Sequence, residues 1–521
     1  MSQAAPTLNS APAETPIVLS TINARYIHSA FGLRYLHANL GELRDACQIK
    51  EFTLESRPED MVEELLAANP TIVGFGVYIW NAVQTEQVVA LLKAVAPEVV
   101  IVLGGPEVSY EQEGQAVVEM ADYVITGWGD ISFAELARDI LGQSPRAEKI
   151  ISGQQPKLDQ IEQPYHLYTD DDIRNRILYV EASRGCPFKC EFCLSALDKT
   201  AWPFDLDAFL ENMAVLYERG ARHFKFVDRT FNLKIKNSLR ILEFFLERMD
   251  DDLFLHFEVI PDHLPAQLKD MIAKFPAGSL QFEIGIQTFN PDVQSRIGRR
   301  QDNERAEENI RWICQHSNVH VHTDLIFGLP GESLDSFADS FDQLYALRPH
   351  EIQVGILKRL KGSPIIRHTE AHQLVFNPNP PFSIVSSDTV DYSVVQQVNR
   401  FARYWDLIGN SGRFKQILPL LMGSQPFKRF SDLSAALFSR TGQTHKISLL
   451  RLYDLVFAIA VEDLGIDEEE IRSAIRRDYA ASGLKSIPHC LAENRALALK
   501  TKRSLAGTSD KKRHNSRQAR H

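Results

Sequence analysis

Arg184-Gly185-Cys186-Pro187-Phe188-Lys189-Cys190-Glu191-Phe192-Cys193 places three of the chain's six cysteines within eight positions. Three residues separate the first two thiols and two separate the next pair. Just ahead of them, residues 178–182 are short, apolar and bounded by polar residues, which predicts a strand. A loop at the end of a strand can turn three thiolates toward one centre. Soft sulfur ligands suit zinc, copper(I) or an iron–sulfur cluster. A structural zinc site closes with four ligands, and the next candidate, His223, is far along the chain. A 4Fe–4S cluster held by three cysteines leaves one iron open to a substrate. Three inert buried thiols are not expected together on a loop beside Gly185 and Lys189.

Outward from this loop, strand-like and helix-like patterns alternate in two blocks. The first block has strand candidates at 17–20, 49–54, 71–77, 99–103 and 123–126, with amphipathic runs such as 81–95 between them. Five β/α units predict a doubly wound, flavodoxin-like parallel sheet over residues 16–145, with helices on both faces. Residues 1–15 read as a flexible N-terminus. Residues 146–175 lose the rhythm, contain Gly153, Pro156 and Pro164, and read as a linker. The second block has strand candidates at 178–182, 223–227, 255–260, 281–286, 320–326 and 351–355, with helical runs such as 206–219 and 334–347. Six units are too few for a full eight-fold barrel, so residues 176–385 are expected to form a partial (β/α)6 TIM-like barrel. Residues 386–497 read as a helical C-terminal domain and 498–521 as a basic disordered tail.

The 521 residues require more than one domain. Hydrophobic residues make up 44% and charged residues 24%, which excludes a mostly disordered chain. The net charge of −11 argues against broad non-specific nucleic-acid binding. The tail from Lys500 to His521 departs from this, with eight Lys or Arg against the single acid Asp510. It is open to contact with RNA or to a plain solubilising role. No apolar run is long enough to span a bilayer, residues 1–14 show no basic leader, and the chain is expected in the cytoplasm.

The cysteine loop resembles the signature of the radical S-adenosylmethionine (SAM) enzymes, with Cys186, Cys190 and Cys193 as cluster ligands and Phe192 ahead of the last thiol. The resemblance covers about residues 178–364. It implies a 4Fe–4S cluster whose open iron chelates SAM, and reductive cleavage of SAM to a 5′-deoxyadenosyl radical. It also implies a low-potential electron donor such as a flavodoxin or ferredoxin. Four further positions carry the likeness. Asp228, in Phe226-Val227-Asp228-Arg229, resembles an acceptor for the SAM amino group, although Arg229 stands where the pattern often has a second acid. Glu283 resembles the carboxylate that holds the ribose hydroxyls. Arg299 resembles an arginine paired with the SAM carboxylate. Gly328, in Gly328-Leu329-Pro330, resembles the element that runs along the adenine.

A doubly wound domain ahead of such a barrel resembles the cobalamin-binding subgroup of that superfamily. Its ligand is expected beyond the strand ends, where Gly104, Gly105 and Gly127 allow close backbone approach. The Asp-x-His-x-x-Gly element of many cobalamin modules is missing: His28 in Asn23-Ala24-Arg25-Tyr26-Ile27-His28 has the wrong spacing. His28 therefore reads as a surface or capping histidine, and Tyr78 and Trp80 are open to corrin or core packing. The resemblance implies cobalamin-dependent methyl transfer to an unactivated carbon. The alternatives are a cyclisation or oxidation without methyl transfer and, in another class, a nucleic-acid-binding protein with a structural metal. The sequence names neither the substrate nor a catalytic acid or base. Cys47, Cys314 and Cys490 read as inert, and Arg403-Tyr404-Trp405 as core.

Overall fold

The computed structural model describes residues 15–144, 146–198 and 200–494. The first sheet contains β1 (Ile17–Asn23), β2 (Cys47–Thr53), β3 (Ile72–Gly76), β4 (Val100–Gly104), β5 (Tyr123–Thr126) and β6 (Ile150–Ser152). All pairs are parallel, in the order β2-β1-β3-β4-β5-β6. Every residue of β1 is buried, because helices cover both faces of the sheet. Two separate apolar layers result. One gathers Val18, Val73, Val88 and Leu92; the other gathers Leu19, Leu33, Phe133 and Leu136.

The sheet has six strands where the sequence predicts five. The sixth, β6, comes from the expected linker. Its three residues pair with β5 at the sheet edge, and only Ile151 is buried. So short an edge strand carries no periodicity for sequence reading to detect.

After the linker come β7 (Leu178–Val180), the short antiparallel pair β8 (Ser183–Arg184) and β9 (Trp202–Pro203), then β10 (His223–Phe226), β11 (Phe254–Val259), β12 (Leu280–Gln287), β13 (His320–Phe327) and β14 (Glu351–Ile356). A two-stranded ribbon follows, β15 (Val375–Phe376) and β16 (Ile384–Ser386). The large sheet is wholly parallel, in the order β14-β13-β12-β11-β10-β7, and its two edges stay unjoined. It is the incomplete barrel the sequence predicts. β13 alternates strictly between buried and half-buried residues. Its apolar side chains face the surrounding helices, and His320, His322 and Asp324 face inward.

The C-terminal helices do not stand apart. One hydrophobic core runs from Tyr165 through the barrel to Leu491. Helix Tyr392–Ile408, capped by the Asp391 side chain, packs against β14 and β16. Tyr404 and Trp405 are buried as expected, and Trp405 meets Phe341 and Phe430 edge-on. Asn410 satisfies the open edge of β14: its amide donates to the Ile352 carbonyl and its oxygen accepts from the Ile352 N–H. The helical region thus covers a sheet edge that would otherwise offer unpaired backbone. The basic tail 498–521 lies outside the described residues, as do residues 1–14. Among the described residues, no helix is long and apolar enough to cross a membrane.

Candidate functional site

Two clefts open at the C-terminal ends of the two parallel sheets, where α/β folds bind ligands. The first lies beside the point where the strand order reverses between β1 and β3. Gly104, Gly105 and Gly127 all line it, together with Gly76, Tyr78 and Trp128. Apart from Asp130 and Arg184, the lining is mainly apolar. A Cβ at Gly127 would meet nothing within 4 Å, and one at Gly104 nothing closer than 3.8 Å. This cradle suits a broad, flat ligand. Gly105 serves the backbone instead. With φ +104 it lets the chain pass Val77, whose carbonyl oxygen would sit 2.5 Å from an added Cβ.

His28 does not reach this cleft. Its Nδ1 lies 2.7 Å from the Tyr179 hydroxyl, where the first domain meets the barrel. Tyr78 lines the cleft and stacks on Trp80 at 4.4 Å. Trp80 itself is half exposed and donates its indole N–H to the Ile22 carbonyl.

The second cleft lies on the cysteine loop. Cys186, Cys190, Cys193 and Phe192 line it, facing Glu283 and Arg299. Gly185 shapes the loop: its φ is +95, and a Cβ there would sit 2.4 Å from the Thr200 carbonyl oxygen. Burial pushes the Cys186 and Cys190 thiols up. Arg299 opposes the rise at Cys190, where Nη1 lies 3.7 Å from Sγ. Among the described residues, no three His, Cys, Asp or Glu side chains gather at the spacing of a single ion. All three thiols line this one cleft, as a cluster that meets each ligand at a different iron requires.

Behind the lining residue Glu283, charged side chains pack across the neighbouring strands. Glu283 is paired in register with His322 across β12 and β13, and His322 with Glu351 across β14. Burial works against the Glu283 carboxylate, but His256 at 3.0 Å and Lys225 at 3.5 Å outweigh it and hold it ionised. Burial lowers His256 to about 4, so this ring is neutral. For His322, hydrogen bonds to Asp324 and Glu351 overcome burial and raise it to about 10. Gln287 stands at a register shift in β12 with φ +71, and its buried Oε1 has no partner. An unpaired acceptor at the cleft wall is a place for a ligand's donor.

Two expected SAM contacts stand elsewhere. Asp228 is buried outside this lining and accepts from the Ala182 N–H at 3.0 Å and the Ser183 hydroxyl at 2.6 Å. It ties β10 to the strand that carries the cysteine loop, and burial lifts its carboxyl to about 7. Its neighbour Arg229 lines the cleft instead and pairs with Glu258 at 3.2 Å. Gly328 is also outside the lining. It makes room for Ile384 of β16, which an added Cβ would meet at 2.7 Å.

Sequence reading misses the residue that joins the clefts. Arg184, two positions before Cys186, reaches into the glycine-lined cleft. It pairs with Asp130 of the first domain at 3.0 Å and with Glu181 at 2.6 Å, and its guanidinium stacks on Tyr35 and Trp128. Its nearness to the thiols is plain in the sequence, but a partner 54 positions away is not. Arg34 with Glu51 and Asp172, and Lys361 with Glu107, fasten the same domain boundary.

Comparison with known proteins agrees with this two-part architecture. Residues 17–137 match the B12 binding domain and 180–344 the radical SAM superfamily. Residues 370–518 match a family of proteins of unknown function, DUF4080. An uncharacterized methyltransferase of Pyrococcus horikoshii is 25% identical over 67% of this chain and 80% of its own. The cobalamin-dependent radical SAM methyltransferase TokK of Streptomyces tokunonensis is 25% identical over 57% of this chain and 48% of its own. The chain thus spans about half the length of TokK. The solved structure of the methyltransferase TsrM from Kitasatospora setae, with cobalamin and a [4Fe-4S] cluster bound, superposes with a TM-score of 0.54 at 17% identity, over 70% of this chain and 78% of that one. That likeness shows the fold. With its thiol-lined cleft, its glycine-lined cleft and both domain matches, the chain combines a B12 binding domain with a radical SAM domain, the composition of the cobalamin-binding subgroup of the radical SAM superfamily.

Proposed function

We propose that this protein is a cobalamin-dependent radical SAM methyltransferase acting on an unactivated carbon. One observation carries the reading: the loop that presents Cys186 to one cleft presents Arg184 to the other, so the two cofactor sites share one short segment. When bound, the cluster and SAM supply a carbon-centred radical, and cobalamin supplies the methyl group. The chain's own residues bind and orient. Cys186, Cys190 and Cys193 hold the cluster. Arg299, beside Cys190, offers a fixed cation to the SAM carboxylate. Glu283, kept ionised and oriented by His256 and Lys225, offers acceptors to the ribose hydroxyls. Gln287 Oε1 stands ready for a further donor. Asp228 and Gly328 act one step back, by holding the strands that shape the cleft. The glycine-lined walls admit the corrin without contributing a histidine to it.

The activity needs one low-potential electron per SAM cleaved, from a donor of the flavodoxin or ferredoxin kind. The three clustered thiols suit a reducing cytoplasm. Anaerobic reconstitution tests the reading. We expect iron and sulfide in equal amounts, bound cobalamin, and both 5′-deoxyadenosine and S-adenosylhomocysteine from SAM. 5′-Deoxyadenosine without S-adenosylhomocysteine would assign a radical reaction without methyl transfer, and neither product would overturn the assignment.

A further inference from the structure

A file of hydrogen-bonded side chains runs from the thiol-lined cleft into the barrel, and the function proposed above gives it no role. It begins at Asp324, which lines the cleft. Asp324 pairs in register with Gly285, whose carbonyl accepts from Arg299. The Gln287 amide folds over Gly285 and fills the space that a side chain there would need. The Asp324 carboxylate therefore stands beside two residues of the cleft wall. His322 Nε2 lies 3.1 Å from Asp324 Oδ1 and 3.2 Å from Gln353 Oε1. His322 Nδ1 lies 3.0 Å from Glu351 Oε2, and Glu351 Oε1 lies 2.8 Å from His320 Nε2. Both ring nitrogens of His322 thus face acceptors. Carboxylate and amide oxygens only accept, so each nitrogen carries a proton and the ring is an imidazolium.

We infer that His322 is a positioning residue, a fixed cation that keeps the Asp324 carboxylate ionised and aimed into the thiol-lined cleft, where it accepts a hydrogen bond from SAM. The inference rests on the function proposed above, which puts SAM in this cleft. A hydrogen-bonded file can also conduct protons, but a ring clamped between two carboxylates holds its proton to about 10 and does not pass it on at neutral pH. Burial presses the Asp324 carboxyl toward its neutral form, and His322 opposes that pressure by hydrogen bond and by charge, while Glu283 on β12 adds to it. No other group facing the pair takes the place of His322. Lys225 on β10 acts in the same sense on Asp324, but it is paired with Glu283 at 3.5 Å. His256 on β11 is neutral, and His320 on β13 spends Nε2 on Glu351. Glu351 on β14 and Asp406 on helix Tyr392–Ile408 are acids that favour the charged ring.

The test uses the reconstituted, oxidised holoenzyme carrying isotope-labelled histidine. At pH 8.5 a histidine of ordinary pKa is neutral, so a doubly protonated ring at that pH reports the clamped imidazolium. We expect such a resonance, and we expect it to vanish in His322→Gln. Its absence from the parent, or its survival in the variant, overturns the inference. SAM affinity is measured by anaerobic equilibrium dialysis at pH 6.5 and pH 8.5. At pH 6.5 His322→Gln should bind SAM about tenfold more weakly than the parent, the worth of one hydrogen bond to a charged group. At pH 8.5 the ratio should shrink, because Asp324 without its cation ionises only as pH rises. An equal ratio at both pH values is what a general structural defect gives, and overturns the inference. In an Asp324→Asn background, His322→Gln should cost less than about twofold more, and full additivity overturns the inference as well. Should His322→Gln fail to fold, Glu351→Gln decides. The doubly protonated ring should then lose its proton at a lower pH than in the parent, and an unchanged titration overturns the inference. Failure of the parent to bind SAM would overturn the proposed function instead, while the ring resonance still judges His322.

Discussion

The two clefts hold the same position in two parallel sheets, each encloses about 280 Å³, and their linings are opposite in character. In the first domain several strand ends are glycines and the walls are mainly apolar, with the Asp130–Arg184 pair as the charged exception. In the barrel they carry thiols, carboxylates, an arginine and a glutamine. The difference follows from what each must hold. A large preformed macrocycle needs space and shape, which missing side chains provide. A small polar nucleotide and a metal centre need directed ligands, which side chains provide. Parallel α/β sheets supply the position in both cases, and the local residues decide the chemistry.

The largest expected effect separates the clefts. Cys190→Ala removes a ligand from the thiol-lined wall and nothing from the glycine-lined one. Iron and sulfide per chain should drop after reconstitution, and 5′-deoxyadenosine formation should fall by more than about 100-fold. Cobalamin retained by the same preparation, read from its absorbance after extraction, should match the parent. Loss of both cofactors would show that the clefts do not assemble independently.

Arg184 tests the opposite side of the comparison, the point where the clefts touch. Its side chain is 17% exposed and that of Asp130 only 8%. Truncation in Arg184→Ala strands Asp130 and Glu181 without their shared cation. Removing one member of a buried pair costs about 3–5 kcal/mol, because the remaining charge is left unpaired. Urea unfolding should show that loss, and both cobalamin and iron retention should decline together. A variant that keeps its stability would mean that water or another cation replaces the guanidinium.

Much of this arrangement was legible in the sequence. The strands of both sheets stand within a few residues of their expected places, since buried parallel strands are short apolar runs that leave a clear signal. The thiols, Phe192, Glu283 and Arg299 do line one cleft, and Gly104, Gly105 and Gly127 the other. Motif spacing reports such residues because each acts at the end of its own strand. Asp228 shows the limit. A strand-end carboxylate has two faces to choose from, and only the three-dimensional path of residues 182–183 shows that it turns back to hold them. Arg184, Lys225 and His256 were unreadable for the same reason, since their partners lie far off in sequence. The fusion of the C-terminal helices with the barrel core was equally hidden, because helix amphipathicity shows that a face is buried but not against what.

Asp228 also predicts a pH dependence confined to the barrel side. Burial raises its carboxyl from the ordinary range to about 7, so the folded protein keeps a proton that the unfolded chain releases near pH 4. The contribution to stability is full below about pH 4 and is lost as pH rises through 7. Three pKa units correspond to a ceiling of about 4 kcal/mol, and relaxation around the carboxylate reduces the observed value to on the order of 2–3 kcal/mol. Asp228→Asn keeps an oxygen for the Ala182 N–H and cannot ionise. Its melting temperature should therefore fall less than the parent's between pH 5 and pH 7.5. An equal fall in both would place the pH dependence on other groups.

The smallest effect separates two adjacent glycines of the first cleft. Gly104 and Gly105 look equivalent in sequence, yet their surroundings differ. An added side chain at Gly104 points into open space, with the Ile125 carbonyl at 3.8 Å as nearest neighbour, whereas at Gly105 it collides with the Val77 backbone. Gly104→Leu should fold normally and fill part of the cradle. Cobalamin affinity is expected to weaken by about tenfold, equivalent to about 1.4 kcal/mol, with iron content and the melting temperature without cobalamin unchanged. Gly105→Ala should instead lower that melting temperature, because its cost falls on backbone that must move whether or not a ligand is present. If Gly104→Leu binds cobalamin as tightly as the parent, the open space beside Gly104 is not where the corrin sits, and the ligand must rest against other lining residues of the same cleft, such as Trp128 and Arg184.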